Sequence, residues 1–264
     1  MAETNGTPPR RMTESDIEAQ LSQIKSAGAL YLTPKVAAVG DFRTRFSNPT
    51  PLGLMGFVIA ATTFAGITVG WGGNTQLVGA LGIFYFTGPV LLVLATIFEW
   101  VMGNFLSMMI MGMFAVFWLS FGMLETPTLQ IQQAYSATGS AAEGAASTGF
   151  NAAVAMYLMV WGFWLFTIFI FTLKTNVVFA LIMMFATTGS FLLGGAYWKV
   201  STGDYSQASH LQKAGGSIYF IVAMLGWYMT VVMMSAEMRM FSLPVGDLSH
   251  LWPNRGLANM EKDD

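Results

Sequence analysis

Six long apolar stretches, separated by polar ones, follow residue 50 of this chain. Each is about 20 residues long, enough at about 1.5 Å per residue to cross a hydrocarbon core of about 30 Å. None contains Lys, Arg, Asp or Glu. Lipid offers no partner to an exposed amide, so each stretch is predicted to be a helix, and the alternation typical of a β-barrel is missing. The pattern therefore predicts an all-α integral membrane protein with six transmembrane helices at residues 51–71, 77–98, 105–124, 152–173, 177–198 and 218–236.

The segments outside the helices predict the topology. Residues 1–47 are polar and are expected to form a largely flexible tail, residues 48–238 the membrane domain, and residues 239–264 a second tail. With both tails inside, ten of the twelve Lys and Arg residues lie on the cytoplasmic side, as the positive-inside rule requires. Both termini are therefore predicted to be cytoplasmic.

Composition supports the membrane assignment and removes several function classes. Of the 264 residues, 54% are hydrophobic and 10% charged, against about 25% charged in soluble domains. The basic residues form no patch suited to nucleic acid. Cysteine is absent, and His210 and His250 lie outside the apolar stretches, which argues against a metal or haem site in the membrane. No catalytic constellation or phosphate-binding glycine loop is present, so we expect neither an enzyme nor a cofactor.

The stretch 48–57, Asn-Pro-Thr-Pro-Leu-Gly-Leu-Met-Gly-Phe, marks the change from tail to membrane. Asn48 is suited to accept a first-turn amide, and the two prolines suit a helix start. The amides of Leu52 and Gly53 are expected to stay free at the positive helix end, where they would form an anion site. The alternative is that this stretch only ends the tail and begins the helix.

Several features within the helices carry two interpretations each. Pro89 is expected to kink or interrupt the second helix, and the link 125–151 to contain a short helix near 128–137. Small residues repeat every four positions, at Gly66 and Gly70 and at Ala186, Ser190 and Gly194. This spacing indicates either close helix packing or the lining of a pore. The Ser, Thr and Tyr hydroxyls within the helices are expected either to line a path for a solute or to bond back to carbonyls of their own helix. The helix-end carboxylates Glu99, Glu125 and Glu237 are either solvated or have a proton or ion role.

Several motifs together resemble one family. The stretch 48–57 is similar to the Asn-Pro-Ala-Pro-Leu-Gly-Leu signature of the acetate uptake transporter family, also called the GPR1/FUN34/YaaH family. Further similarity lies in Gly-Ile-Phe-Tyr at 82–85, Glu99 with Gly-Asn at 103–104, and Phe-Trp-Leu-Ser-Phe at 117–121. It continues in Ala-Gly-Gly at 214–216, Trp-Tyr at 227–228 and Leu-Pro-Val-Gly-Asp at 243–247. The resemblance covers about residues 46–250, and the long polar tail resembles the fungal branch.

The resemblance implies a homohexamer in the plasma membrane with a path for acetate or similar short monocarboxylates through each protomer, often with a proton. It places substrate contacts at Asn48, Leu52, Gly53, Tyr85 and Glu99. The apolar constriction of the family, a phenylalanine, a tyrosine and a leucine, maps to Phe57, Phe114 and Ala186.

This sequence departs from the family at positions that set polarity and size. Phe114 lacks the tyrosine hydroxyl, and Ala186 is smaller than leucine. Leu92 stands where glutamine is usual, Phe105 where threonine is usual, and the spacing from Tyr85 to Glu99 is about two residues longer. The leading hypothesis is a short-chain monocarboxylate transporter or channel. The alternatives are a transport-inactive sensor or membrane-organising subunit of the same fold, and ammonia or ammonium export.

Overall fold

The computed structural model describes residues 46–252, and within them six helices are long and apolar enough to cross a membrane. In that range the backbone forms no strand beyond one isolated bridge between Asn176 and Asp247. The prediction of an all-α protein with six membrane helices is confirmed. The α-helices are α1 Thr50–Val69, α2 Gly88–Val101, α3 Phe105–Leu124, α4 Thr148–Thr172, α5 Val177–Ser201 and α6 Tyr205–Glu237. The second membrane span, Ile83–Val101, consists of a π-helical turn followed by α2.

The helices pack in a fixed order of neighbours. α1 lies against α2 and α6, α5 lies between α4 and α6, and α2 packs on α3. Glycine allows the close approaches: a Cβ at Gly226 of α6 would lie 2.7 Å from Val58 Cγ1 of α1. By contrast, α3 and α4 meet through large rings, with Phe117 5.2 Å from Trp161 and Phe114 5.7 Å from Trp164 between centroids. The α3–α4 seam is therefore filled by aromatic rings rather than by close backbone contact.

Large apolar side chains cover the outer faces of α2 and α4, as lipid requires. Val90, Ile97, Met156, Phe163 and Phe166 are all well exposed. Exposed apolar surface on this scale is stable in hydrocarbon and costly in water. The chain is thus a multi-pass membrane protein.

The second predicted helix is broken, as expected from Pro89. A 3₁₀ turn at Leu77–Ala80 and a π-helical turn at Ile83–Thr87 precede α2. The Gly88 amide donates five residues back to the Ile83 carbonyl. Because Pro89 lacks an amide proton and its ring collides with the carbonyl four residues earlier, a regular ladder cannot pass through this point. The irregularity expected at Pro89 is present, and the predicted bounds 77–98 are corrected to this irregular entry followed by α2, which ends at Val101.

Two other helices begin earlier than the hydropathy pattern predicts. α6 starts at Tyr205 rather than 218, where the Asp204 carboxylate accepts the Gln207 amide at 3.2 Å. α4 starts at Thr148 rather than 152, capped by the Ser147 hydroxyl. Residues 205–217 are polar but helical, because a helix outside the lipid needs a cap and suitable propensity rather than apolar side chains.

The link between α3 and α4 is folded differently from the prediction. A helix near 128–137 is replaced by 3₁₀ turns at Pro127–Leu129 and Gln133–Tyr135, and the α-helix is Ala141–Ala146. Gln130, with φ of 51°, separates the turns. The hydroxyls of Ser136 and then Thr138 hold the pKa of Glu143 below its usual range. Local hydrogen bonds from these short polar side chains replace the regular helix.

Most membrane threonines bond back to their own helix. Thr62, Thr68, Thr96, Thr187 and Thr230 each donate to the carbonyl four residues earlier. Their protons are therefore used within the helix, which confirms the back-bonding interpretation for them.

The segment after α6 folds back onto the start of α5. The Val177 amide donates to the Gly246 carbonyl at 2.8 Å, and the Leu248 amide to the Thr175 carbonyl at 3.0 Å. The Tyr228 hydroxyl donates to the Pro244 carbonyl at 2.6 Å. These bonds fasten the Leu-Pro-Val-Gly-Asp motif at 243–247 to the membrane domain, so the described part of the predicted C-terminal tail is an ordered strap.

Candidate functional site

The predicted site residues divide among three levels of the bundle. Asn48, Leu52, Gly53 and Glu99 lie at the end where α1 begins and α2 finishes, called here the Asn48 end. Phe57 and Phe114 lie about halfway along α1 and α3. Tyr85 lies at the opposite end, called here the Glu125 end, where its hydroxyl bonds Thr126 at 2.7 Å.

The prediction that Asn48 accepts a first-turn amide is confirmed. Its Oδ1 accepts the Thr50 amide at 3.0 Å and lies 2.8 Å from the Thr50 hydroxyl. The side chain therefore anchors the first residue of α1 in the manner of a helix cap.

The prediction of free amides at Leu52 and Gly53 is wrong. Both donate to the Pro49 carbonyl, at 3.1 and 3.3 Å. Pro49 itself is helical, with φ of −80° and ψ of −16°, so its carbonyl reaches the amides three and four residues later. The anion site inferred from open amides is thereby lost. A Cβ at Gly53 would lie 2.7 Å from Ala95 Cβ, so this glycine allows α1 and α2 to touch.

The polar group that the structure places at the Asn48 end is the buried carboxyl group of Glu99. Glu99 is completely buried, the Thr50 hydroxyl bonds its Oε1, and Asn104 Nδ2 donates to its Oε2 at 2.7 Å. A buried carboxyl group costs several kcal/mol unless such bonds satisfy it. The cluster of Asn48, Thr50, Glu99 and Asn104 therefore ties the start of α1 to the α2–α3 turn.

The single proton of the Thr50 hydroxyl lies between two acceptors, Asn48 Oδ1 and Glu99 Oε1. When it donates to Asn48, a proton on Glu99 can be donated to the Thr50 oxygen instead. The cluster thus accommodates Glu99 with or without a proton.

A small cavity lies at the middle of the bundle. It measures about 10 Å³, close to the space that one water molecule needs. Phe57 and Phe114 are both buried and in contact there, with centroids 4.7 Å apart. The lining comes from α1, α3, α4 and α6: Phe57, Ala61, Phe64, Phe114, Phe117, Trp118, Trp161, Leu165 and Tyr219.

Three lining residues carry polar atoms that the sequence did not single out as site groups. Tyr219 lies near the Ser190 side chain, and the Trp161 ring lies 6.1 Å from that of Tyr157 between centroids. The Trp118 Nε1 is buried and has no hydrogen-bond partner among the described residues. The signal available for Trp118 was its position four residues after Phe114, on the same helix face.

Ala186 does not line this cavity. It is fully buried in α5, one turn before Ser190, whose hydroxyl donates to the Leu158 carbonyl of α4 at 2.8 Å. Two turns on, a Cβ at Gly194 would lie 3.1 Å from Met159 of α4. Ser190 and Gly194 thus serve helix packing, and Phe57 and Phe114 line the cavity without Ala186. The predicted constriction of Phe57, Phe114 and Ala186 stays a prediction.

At the Glu125 end a second carboxyl group is partly buried. Burial raises the pKa of Glu125 above its usual value, because loss of water penalises the charged form. The charge of Glu125 acts on the phenol of Tyr197 in α5. No group of three or more His, Asp or Glu side chains suited to a metal occurs within residues 46–252.

A bundle of six membrane helices with an aromatic, uncharged cavity at its centre and polar clusters at both ends defines the class of polytopic α-helical membrane proteins. Residues 30–250 match the GPR1/FUN34/yaaH family. The chain belongs to this family.

Individual relatives agree with that assignment. The chain is 34% identical to Protein alcS of Aspergillus fumigatus over 230 residues, 86% of this chain and 84% of that protein. It is 28% identical to Acetate transporter protein patA of Aspergillus clavatus over 241 residues, 91% and 94% of the two chains. The fold is similar to that of the bacterial acetate channel SatP, with a TM-score of 0.59 at 22% identity, covering 76% of this chain and 99% of that one.

Proposed function

We propose that this protein is a transporter or channel, not an enzyme, that moves acetate or a related short-chain monocarboxylate through its central cavity. The observation that carries the proposal is that cavity, which is lined by aromatic and apolar side chains without a charged residue and at which Phe57 and Phe114 are in contact. Such walls disfavour multiply charged solutes, because no fixed charge offsets the cost of desolvation. The acetate-related names of patA and SatP support the same solute class.

We further propose that a proton accompanies the solute and that Glu99 is the residue that exchanges it. Support comes from the Thr50 hydroxyl, which matches either protonation state of the carboxyl group. The substrate-contact roles of Asn48, Leu52, Gly53 and Tyr85 belong to the same proposal. For Leu52 and Gly53 such contacts must use groups other than their bonded amides.

The test is uptake of labelled acetate into liposomes holding the purified protein, with an imposed pH gradient. We expect flux well above empty vesicles, increased when the acetate side is acidic. Propionate and butyrate are measured alongside. Flux no greater than that of empty vesicles for all three acids would refute transport and favour the sensor or membrane-organising alternative.

Ammonia export is a second candidate, because one family member in Saccharomyces cerevisiae is named Ammonia transport outward protein 2. Cells lacking the present protein would then release less ammonia while importing acetate normally. Reduced acetate uptake with unchanged ammonia release supports the first proposal instead.

We propose a plasma-membrane location with both termini in the cytoplasm, supported by the distribution of Lys and Arg. Because the chain contains no cysteine, single cysteines introduced into the tails can be probed with a membrane-impermeant thiol reagent, and labelling is expected only after the cells are permeabilised. Labelling without permeabilisation would contradict this topology.

We also propose a homohexamer, by resemblance to the family. The exposed apolar faces of α2 and α4 offer surface that another protomer or lipid can cover. Native mass spectrometry from lipid nanodiscs distinguishes six copies from fewer.

A further inference from the structure

Glu125 lies at the end of α3, on the helix face that contributes to the cavity wall. Its backbone remains helical, with φ of −91° and ψ of −3°, and its amide donates to the Gly122 carbonyl at 3.2 Å. Phe114, Trp118 and Phe121 precede it at spacings of three and four residues, which place all of them on one face. Phe114 and Trp118 line the central cavity. Glu125 therefore follows the same wall, about 10 Å beyond Trp118 at about 1.5 Å per residue.

A packed aromatic layer separates Glu125 from the cavity. The Phe121 ring is 2% exposed, and its centroid lies 5.7 Å from that of Phe64 and 5.8 Å from that of Phe84. The Phe117 ring stacks on it at 5.6 Å. Phenylalanine rings have no donor or acceptor through which a proton can be relayed. A proton that moves between Glu125 and the cavity through this layer must therefore be carried by the solute.

The surroundings of the Glu125 carboxyl group favour its protonated form. The side chain is partly buried, and burial raises its pKa above the usual value. No hydrogen bond or basic group from residues 46–252 opposes this shift. The charge of Glu125 acts on the phenol of Tyr197 in α5, and at the same end Lys199 is paired with Asp204 at 3.2 Å. Glu125 thus holds a proton more firmly than a carboxyl group in water.

The Tyr85 hydroxyl at this end is already engaged. It lies 2.7 Å from the hydroxyl of Thr126, which donates its own proton to the Gly122 carbonyl at 2.7 Å. Tyr85 is therefore the donor in this pair, and its proton is used. Of Tyr85, Tyr197 and Glu125, the carboxyl group is the one suited to exchange a proton with an acid.

Proton exchange at this point suits a small carboxylate that must enter an uncharged cavity, because the charged form loses far more hydration than the neutral acid. We propose that Glu125 is the proton-exchange residue of the Glu125 end. Its carboxyl O–H gives the proton to a carboxylate oxygen of the arriving solute, and water on that side reprotonates the glutamate. The solute continues as the neutral acid, and the reverse sequence releases it. This inference rests on the proposed function and adds a second proton site to Glu99.

Glu125→Gln is the test, because glutamine keeps the size of the protonated side chain but cannot exchange a proton. Labelled acetate uptake into liposomes is measured from acidic to neutral pH, with the uptake of empty vesicles subtracted. The ratio of variant to wild-type flux is expected to be near one at acidic pH, where water already protonates the acid. At neutral pH it should fall about tenfold or more, since positioned proton-transfer groups typically contribute about 10²–10⁴-fold.

Two variants serve as controls. Glu143→Gln makes the same change at an exposed carboxylate in the link between α3 and α4, and its flux ratio should stay near one at every pH. Glu125→Asp keeps a carboxyl group, so its ratio at neutral pH should be closer to one than that of Glu125→Gln. A Glu125→Gln ratio that is the same at acidic and neutral pH would show a structural role or none, and it would overturn the inference.

Nuclear magnetic resonance of the wild-type protein in nanodiscs, with ¹³C-labelled glutamate carboxyl groups, measures the proton directly. Glu125→Gln and Glu143→Gln assign two signals. The Glu125 signal is expected to titrate above 4.5, and the Glu143 signal below it. A Glu125 midpoint at or below 4.5 overturns the inference.

The outcomes separate the inference from the function on which it rests. Wild-type flux no greater than that of empty vesicles refutes transport itself, whatever the Glu125 midpoint. Normal wild-type flux with a pH-independent Glu125→Gln ratio refutes the role of Glu125 and leaves acetate transport standing.

Discussion

Glu99 is buried away from water, and short polar side chains from two other segments stabilise its carboxyl group there by hydrogen bonds. Thr50 and Asn104 bond its two carboxyl oxygens, and Asn48 holds Thr50 in place. The signature at 48–57 thus acts through side chains that meet a carboxyl group about fifty residues later, rather than through open backbone amides.

Replacing Thr50 with Val tests this cluster, because valine keeps the shape and removes the hydroxyl. One oxygen of the buried Glu99 then loses a donor, which should lower the free energy of unfolding by about 1–3 kcal/mol. Thermal unfolding in a fixed detergent measures the effect, and Thr50→Ser, which keeps the hydroxyl, is the control. Equal stability of Thr50→Val and wild type would show that the hydroxyl contributes nothing there.

Glu125 should give the protein a pH-dependent stability of a definite sign. Its pKa is raised in the folded state from a reference value of 4.5, so the folded protein binds this proton more tightly than the unfolded chain. Stability from this group is greatest below 4.5 and declines as the pH rises through the raised pKa. Glu125→Gln is expected to remove that decline and to raise the melting temperature at pH above the raised pKa. A steeper decline of stability with pH in Glu125→Gln than in the wild type would contradict the raised pKa of Glu125.

At the scale of elements, the strap formed by residues 243–248 depends on one glycine. Gly246 has φ of 67°, and a Cβ there would lie 2.8 Å from Val177 Cγ2. The same residue supplies the carbonyl that accepts the Val177 amide. The strap is therefore coupled to the start of α5 through a position that tolerates no side chain.

Gly246→Ala should loosen the strap, because it adds a backbone strain of about 1–2 kcal/mol and a collision with Val177. Hydrogen exchange of peptides covering Val177 and Leu248 is expected to accelerate by tenfold or more, since about 1.4 kcal/mol corresponds to a factor of ten. Gly203→Ala is the matched control, with φ of 80° but no atom within 4 Å of the added Cβ. Equal acceleration of hydrogen exchange in Gly246→Ala and Gly203→Ala would show that the collision with Val177 is unimportant.

Helix bounds could be predicted from sequence where a helix ends at the same residue as its apolar stretch. The bounds of α3 agree with the prediction because Asn104 and Glu125 are polar at its two ends. The start of α6 was missed because residues 205–217 continue the helix beyond the apolar stretch. Hydropathy reports the thickness of the membrane, whereas helix ends depend on caps such as Asp204 and Ser147.

At the scale of the whole molecule, the bundle could be predicted and its cavity only in part. Asn48 was accessible to sequence reasoning because a cap is local. Trp118 and Tyr219 were not assigned, because the cavity combines four helices whose rotations about their axes are set by packing. Ala186, placed at the constriction by resemblance to the family, does not line the cavity. Ser190 and Gly194 on the same helix contact α4, and the role of Ala186 at a constriction stays a prediction.

The flux ratio of butyrate to acetate tests the central claim most directly, because the claim is that short acids pass between Phe57 and Phe114. In liposomes with an imposed pH gradient, Phe114→Ala removes one side of the contact and is expected to raise this ratio about tenfold, the scale on which a pocket senses added methylenes. Phe166→Ala, at an exposed ring on the outer face of α4, should leave the ratio at the wild-type value. A folded Phe114→Ala protein with the wild-type ratio would contradict passage through this cavity.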